Sequence, residues 1–434
     1  MLSMIGLIGS LALLIILTLR SVNIIVSAVI CSSILALTGG LNLLDALTEN
    51  YMEGFTGFFK SWFLIFLLGA IFGKVMEDTQ GASAIAHWIQ DKLGTKGALL
   101  SVVAACGLMT YGGVSVFIVA FCVYPIALSL FKSANLPHRF IPAALVFGSI
   151  SFTMTAPGSP EIQNLIPTEY LGTTPLAGGF IGFLSSFLIL ILGGFALNKM
   201  VQNAVKKGET FILPYKETEL ENAKRSKPLP NVVLALIPLV VVVGVLNIIA
   251  QYIPTDKAVI VGLFSGVIAA WLLMFKQLDH HLPILAKGTE NSIVAIANTC
   301  GVVGFGAVAS QVPAFTAIVD GLTNTPGLEY AGLGLSVTLI AGITGSASGG
   351  LGIAMPILAP IYQAQGLDPG AMHRISSLAS GGLDSLPHNG YIVTTVQGVC
   401  KETHQRSYKS IFVLSVLIPT LVLILAIVLY TMFY

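Results

Sequence analysis

Gly381-Gly382-Leu383-Asp384-Ser385-Leu386-Pro387-His388-Asn389-Gly390 lies between two apolar runs and does not read as continuous helix. Glycine is permissive there, and Pro387 removes a backbone donor. Thr153-Met154-Thr155-Ala156-Pro157-Gly158-Ser159-Pro160 reads the same way in the first half of the chain. So do two shorter clusters, Thr110-Tyr111-Gly112-Gly113-Val114-Ser115 and Ser346-Ala347-Ser348-Gly349-Gly350. What such breaks mean depends on the solvent around them.

Composition supplies that solvent. Of 434 residues, 55% are hydrophobic and 9% are Asp, Glu, Lys or Arg, against about 25% charged in a soluble domain. A water-soluble monomer is excluded. The net charge of +1 gives no field that would gather nucleic acid. Five scattered cysteines, Cys31, Cys106, Cys122, Cys300 and Cys400, have no C-x-x-C spacing and read as small buried apolar residues. The first apolar run has no basic region before it and no cleavage site after it, so it is expected to be a retained helix. The fold class is therefore an all-α polytopic membrane protein. Backbone that leaves a helix at membrane depth is expected only where it is buried in protein or lines a wet cavity.

Apolar runs long enough to cross about 30 Å of hydrocarbon occur at Ile5 to Leu19, Ser21 to Leu37, Phe58 to Met76, Leu176 to Leu197, Val232 to Ala250, Ala258 to Phe275, Ile293 to Ala309 and Ile411 to Tyr430. The segment 198–230 differs in kind, with Lys199, Lys206, Lys207, Lys216, Lys224, Arg225 and Lys227 among four glutamates. It reads as a cytoplasmic linker between residues 1–197 and 231–434.

The two halves echo one another in order. Thr48-Glu49-Asn50 matches Thr289-Glu290-Asn291, Gly69-Ala70 matches Gly306-Ala307, Gly112-Gly113 matches Gly349-Gly350, and His138-Arg139 matches His373-Arg374. Five spans per half, with Leu99 to Leu130 and Leu328 to Gln365 as re-entrant hairpins, place 18 of the 21 Lys and Arg residues on one side. Only Lys60, Lys257 and Arg374 fall outside. An odd number of spans makes the second repeat enter inverted, the plan of secondary transporters. Ala82 to Lys92 and Val312 to Leu322 are expected as interfacial helices.

If the repeats are inverted, all four breaks can converge near the midplane. Half-helices beginning after Gly113, Ser159, Gly350 and Asn389 would aim their positive ends at a cavity. The expected substrate-binding residues are Gly112, Gly113, Ser115, Thr155, Pro157, Gly158, Ser159, Ser346, Ser348, Gly349, Gly350, Ser385, His388 and Asn389, and the expected solute is a small hydroxylated organic anion. Small residues of this kind also serve as packing surfaces between membrane helices. Asp384 and His388 are ionisable groups at membrane depth and candidates for proton coupling. Glu161, Glu49 and Glu290 read as first-turn acids. Arg374, on the far side, could draw anions in.

Thr155 to Asn164 together with Leu383 to Gly390 resembles the gluconate permease family, with its hydroxybutyrate permease branch, over nearly the whole chain. The resemblance implies the ion-transporter superfamily architecture, a dimer with an elevator-type moving domain, and a proton symporter for sugar acids or small hydroxy acids. Some relatives carry D-serine. The first loop is richer in proline than in gluconate-specific members, which leaves 3-hydroxybutyrate and glycerate beside gluconate as solutes. Sodium coupling stays open, because broken-helix carbonyls also suit Na⁺. A channel filter, an H-E-x-x-H or G-x-S-x-G enzyme motif, a metal-ligand cluster and a phosphate loop are all absent from the sequence. No enzyme activity and no cofactor are expected.

Overall fold

The computed structural model describes residues 2–20, 22–93, 97–214, 229–278, 281–323, 327–387 and 389–434. Among them there are helices and no strands. The first half contains α1 (Leu2–Leu19), α2 (Ile24–Gly39), α3 (Leu43–Asp78), α4 (Gly81–Leu93), α5 (Ala98–Tyr111), α6 (Val116–Ser133), α7 (138–151), α8 (Ile162–Leu171) and α9 (Gly179–Lys206). The second half contains α10 (Val232–Ile249), α11 (Thr255–Leu273), α12 (His281–Ser310), α13 (Pro313–Thr323), α14 (Glu329–Thr344), α15 (Ala347–Ala364), α16 (Pro369–Ser380), α17 (390–399) and α18 (His404–Phe433). Among the described residues each half contributes nine such helices.

Local chemistry sets several boundaries. Asn23 opens α2 by accepting from the Ile25 and Val26 amides, and Asn231 accepts from Val233 at the start of α10. Asp368 accepts from Ala371 at 2.7 Å, with Pro369 at the first helical position of α16. These are the side-chain acceptors that free N–H groups at a helix start require.

Among the described residues seven helices are long and apolar enough to span a bilayer: α3, α6, α9, α10, α11, α12 and α18. α1, α2 and α5 are shorter apolar helices. The outward faces of α9, α10 and α11 carry Phe180 (77% exposed), Val240 (69%) and Leu272 (69%), apolar area that a lipid solvent accommodates and water does not.

α3 and α12 lie along one another more extensively than any other pair, flanked by α2 and α11. Glycine makes that approach possible. A Cβ on Gly304 would stand 2.8 Å from the Tyr51 carbonyl oxygen, and one on Gly288 would stand 3.0 Å from Ile71 Cα. Much of the glycine excess is thus close packing between helices. α5 to α8 and α14 to α17 form a second group, in which α15 and α16 from the second half pack on α8 from the first. α9 and α18 pack together beside it.

α5–α6 and α14–α15 are pairs of helices joined by short turns over the stretches expected to re-enter, and the pieces expected at the interface are helical as α4 and α13. Two readings are corrected. Glu290 is inside α12 and pairs with Lys287 at 2.8 Å, so it is not a first-turn acid. Arg374 is fully buried, not a loop charge on an outer surface. Of the linker, 215–228 lie outside the described residues, and α9 extends to Lys206. Four cysteines are buried and Cys122 is half-buried.

Candidate functional site

Each hairpin tip meets the broken segment of its own half. At the first tip, Gly113 adopts φ +89°, which lets the chain reverse between α5 and α6. Beside it the Tyr111 hydroxyl donates to the Pro157 carbonyl at 2.8 Å. At the second tip, Asn389 donates through Nδ2 to the Gly345 carbonyl at 3.1 Å. The two breaks also meet: a Cβ on Gly381 would stand 3.2 Å from Thr155 Cγ2. Thr155, Ser159, Ser348, Asp384, Ser385 and Asn389 are all buried there.

The first break (152–161) has its carbonyls supplied with donors from four elements. Thr155 O accepts from Arg374 Nη1 of α16, Pro157 O from Tyr111 of α5, Gly158 O from Asn247 of α10 at 2.9 Å, and Ser159 O from Asn164 of α8 at 2.8 Å. Gly158, at φ +80°, turns its own amide onto Pro175 O at 2.8 Å. These four carbonyls thereby keep partners outside the helical ladder, which membrane depth demands. The Thr155 hydroxyl, in contrast, is buried and has no partner among the described residues.

The second break, described over 381–387 and at Asn389, is held by partners closer in sequence. The Ser385 hydroxyl donates to Asp384 Oδ1 at 2.9 Å, and the Tyr408 hydroxyl donates to Ser385 O at 3.1 Å. Asp384 is 6% exposed, and no Lys, Arg or His among the described residues forms an ion pair with it. His388 lies outside the described residues.

The half-helix starts are Val116, Ile162, Ala347 and Gly390. Ser115 caps α6 without a side-chain bond, Ser346 Oγ accepts from the Gly349 amide at 3.1 Å, and Asn389 Oδ1 accepts from Ile392 at 3.0 Å. Ser346 and Ser348 hydroxyls are 3.3 Å apart. Two expectations change here. Gly349 and Gly350 lie in the first turn of α15, not in open backbone; a Cβ on Gly350 would stand 2.6 Å from Ala341 Cα, so this glycine lets the hairpin arms touch. Glu161 is the N-cap residue of α8 and not a first-turn acid, and its carboxylate makes no cap bond.

Sequence reasoning missed Asn164, Asn247 and Tyr430, and misplaced Arg374. Tyr430 donates to Gly178 O at 2.5 Å. His373 joins the same network, with Nε2 3.1 Å from Asn164 Oδ1 and Nδ1 2.7 Å from Thr173 Oγ1. Among the described residues no group of His, Cys, Asp or Glu is placed to hold a metal. A cavity of about 520 Å³ opens between α14 and α18, lined by Leu335, Leu423 and Ile427 with Thr338 and Thr420. It contains none of the expected site residues.

Helices long enough to span, hairpins that turn back and polar breaks buried at their meeting place define a multi-pass membrane transporter. Two solved structures share the fold over 90% of this chain. They are the Alcanivorax borkumensis YdaH transporter (TM-score 0.53, 16% identity, 88% of that chain) and Neisseria gonorrhoeae MtrF (TM-score 0.52, 18% identity, 84% of that chain).

The profile described as GntP family permease matches residues 1–381, and the chain belongs to that family. The uncharacterized transporter YxjC of Bacillus subtilis (strain 168) is 33% identical over 455 residues, covering 95% of each chain. The high-affinity gluconate transporter of Escherichia coli (strain K12) is 23% identical over 327 residues, 71% of this chain and 68% of that one. The family is one of transporters, not enzymes.

Proposed function

We propose that this protein is a secondary active transporter that takes up a small hydroxycarboxylate or sugar acid together with a proton across the cytoplasmic membrane. The observation that carries the reading is the meeting of the two breaks at Thr155 and Gly381, with buried hydroxyls on both and the buried Asp384 three residues beyond Gly381. Donors of that kind hold a carboxylate and its hydroxyl groups. A buried carboxylate without a cationic partner can take up a proton, and a neutral loaded site lowers the cost of moving an anion through an apolar barrier. The likeness to a gluconate transporter points to the same solute class.

The carbonyls of Thr155, Pro157, Gly158 and Ser159 already accept side-chain hydrogen bonds. This favours the proton over sodium as the coupled ion at the first break, because Na⁺ would draw on those oxygens. In this reading the two halves are inverted repeats. α1 to α3 with α10 to α12 form a scaffold at a homodimer interface, and the hairpins with the broken helices move as an elevator. His388 and Asp384 share the proton.

Uptake into proteoliposomes under separately imposed proton and sodium gradients tests this. A proton gradient alone drives accumulation of 3-hydroxybutyrate, glycerate or gluconate, and Asp384→Asn abolishes the coupling. Accumulation driven by sodium alone, or transport of D-serine to the exclusion of the acids, overturns the assignment.

A further inference from the structure

The duplicated dipeptide His-Arg occurs once in each half, and its two copies are treated differently. In the first half, Arg139 makes a two-point ion pair with Glu209, Nε to Oε2 at 2.7 Å and Nη2 to Oε1 at 2.9 Å. In the second half, Arg374 is fully buried. Its guanidinium donates only to carbonyls: Thr155 O, Pro175 O at 3.2 Å, and Ala177 O from Nε at 3.2 Å and Nη2 at 2.8 Å. Among the described residues no carboxylate pairs with it.

Satisfying these carbonyls does not require a charge. Tyr111, Asn164 and Asn247 do the same work on the neighbouring oxygens of the same loop with neutral groups. A buried cation costs far more than a neutral donor unless an anion comes near it, and in membrane interiors such charges accompany function. The Thr155 peptide stands between the guanidinium and the place where the breaks meet, with its hydroxyl unpartnered.

We infer that Arg374 is a positioning residue that makes the site selective for an anionic over a neutral solute, its counter-ion being the carboxylate of the transported molecule. The inference rests on the solute class proposed above and assigns the origin of its charge preference. The guanidinium does not touch the solute. It acts through the Thr155 peptide, whose dipole it polarises and whose position it fixes.

The test is binding of matched pairs, 3-hydroxybutyrate against 3-hydroxybutyramide and gluconate against gluconamide, measured on the purified full-length transporter in detergent. Wild type is expected to bind the acids at least about tenfold more tightly than the amides. Arg374→Gln, which keeps donors but removes the charge, brings the ratio to within about threefold while amide binding is retained.

Where Arg374→Gln does not fold, Arg374→Lys and Arg374→Met decide, the first keeping the charge without the planar fork and the second removing it at similar length. Arg374→Lys keeps an acid-to-amide ratio of at least about tenfold, and Arg374→Met brings it to within about threefold. A folded Arg374→Gln or Arg374→Met with the wild-type ratio, or a folded Arg374→Lys without acid preference, overturns the role of Arg374 and leaves the solute class standing. A wild type that does not prefer the acids overturns both.

Discussion

His138 and Glu402, 264 residues apart, are joined by a 2.9 Å contact between Nδ1 and Oε1, with both side chains wholly buried. His138 Nε2 lies 3.1 Å from the Tyr124 hydroxyl, and Arg406 Nη1 lies 3.5 Å from Glu402 Oε2. The counterpart His373 reaches Thr173 across the halves in the same sense. In each case the histidine at the start of one broken helix grips the segment that follows the broken helix of the other half. The two halves thus clasp each other reciprocally, with a carboxylate on one side and a hydroxyl on the other.

Cutting the first clasp is expected to destabilise the fold. His138→Ala and Glu402→Ala each leave a buried polar partner unpaired, a loss of about 1–3 kcal/mol. The double variant costs less than the sum, since it removes both partners. Thermal unfolding of the four proteins in detergent reads the coupling, and strict additivity would contradict the clasp.

Gly350→Ala is expected to open the second hairpin. Its new methyl would stand 2.6 Å from Ala341 Cα and 2.9 Å from Ala341 N. Backbone cannot yield as a flexible side chain does, so the cost is about 1–3 kcal/mol, with lower uptake because Ser346 shifts with the tip. Gly194→Ala, at a half-buried position of α9 where a Cβ would meet nothing within 4 Å, leaves the melting temperature and uptake at wild-type levels.

The hairpins, the amphipathic helices and the positions of the breaks were legible because glycine, proline and hydropathy act locally. Gly112 and Gly158 are true turn or contact residues, whereas Gly349-Gly350 looked like a break and is a packing surface. Its role depends on Ala341 in the facing arm, which no local pattern names. Arg374 was misplaced for a related reason. A charge-counting rule assigns an arginine to an aqueous side, and it cannot register carbonyls of Thr155, 219 residues away, that make burial tolerable. Asn247 is likewise an unremarkable polar residue in α10 until Gly158 is folded against it.

The Arg139–Glu209 pair is expected to give a small, pH-dependent tether between α7 and the segment after α9. The side-chain hydrogen bond from Arg139 holds the Glu209 carboxyl below the ordinary value of 4.5. A lowered folded-state value means the contribution is present above pH 4.5 and is lost as pH falls through the folded value. Both side chains are partly exposed, so the pair is worth about 0.5 kcal/mol. The melting-temperature difference between wild type and Glu209→Gln is therefore constant from pH 8 to 5, shrinks in more acidic buffer, and falls with added salt. A difference that grows on acidification contradicts the pairing.

Asn389 performs two tasks that substitutions can separate. Its Oδ1 caps α17 at the Ile392 amide, while its Nδ2 ties the second break to the hairpin tip at Gly345. Asn389→Asp keeps the cap acceptor and loses the donor, and Asn389→Ala loses both. The alanine variant should lose about 1 kcal/mol more stability than the aspartate variant, the usual worth of a cap. Uptake separates them differently. If the tie to Gly345 positions the tip over the break, both variants raise the KM for the acid to a similar extent, because both free the tip. An Asn389→Asp variant with wild-type KM would assign the residue to helix capping alone.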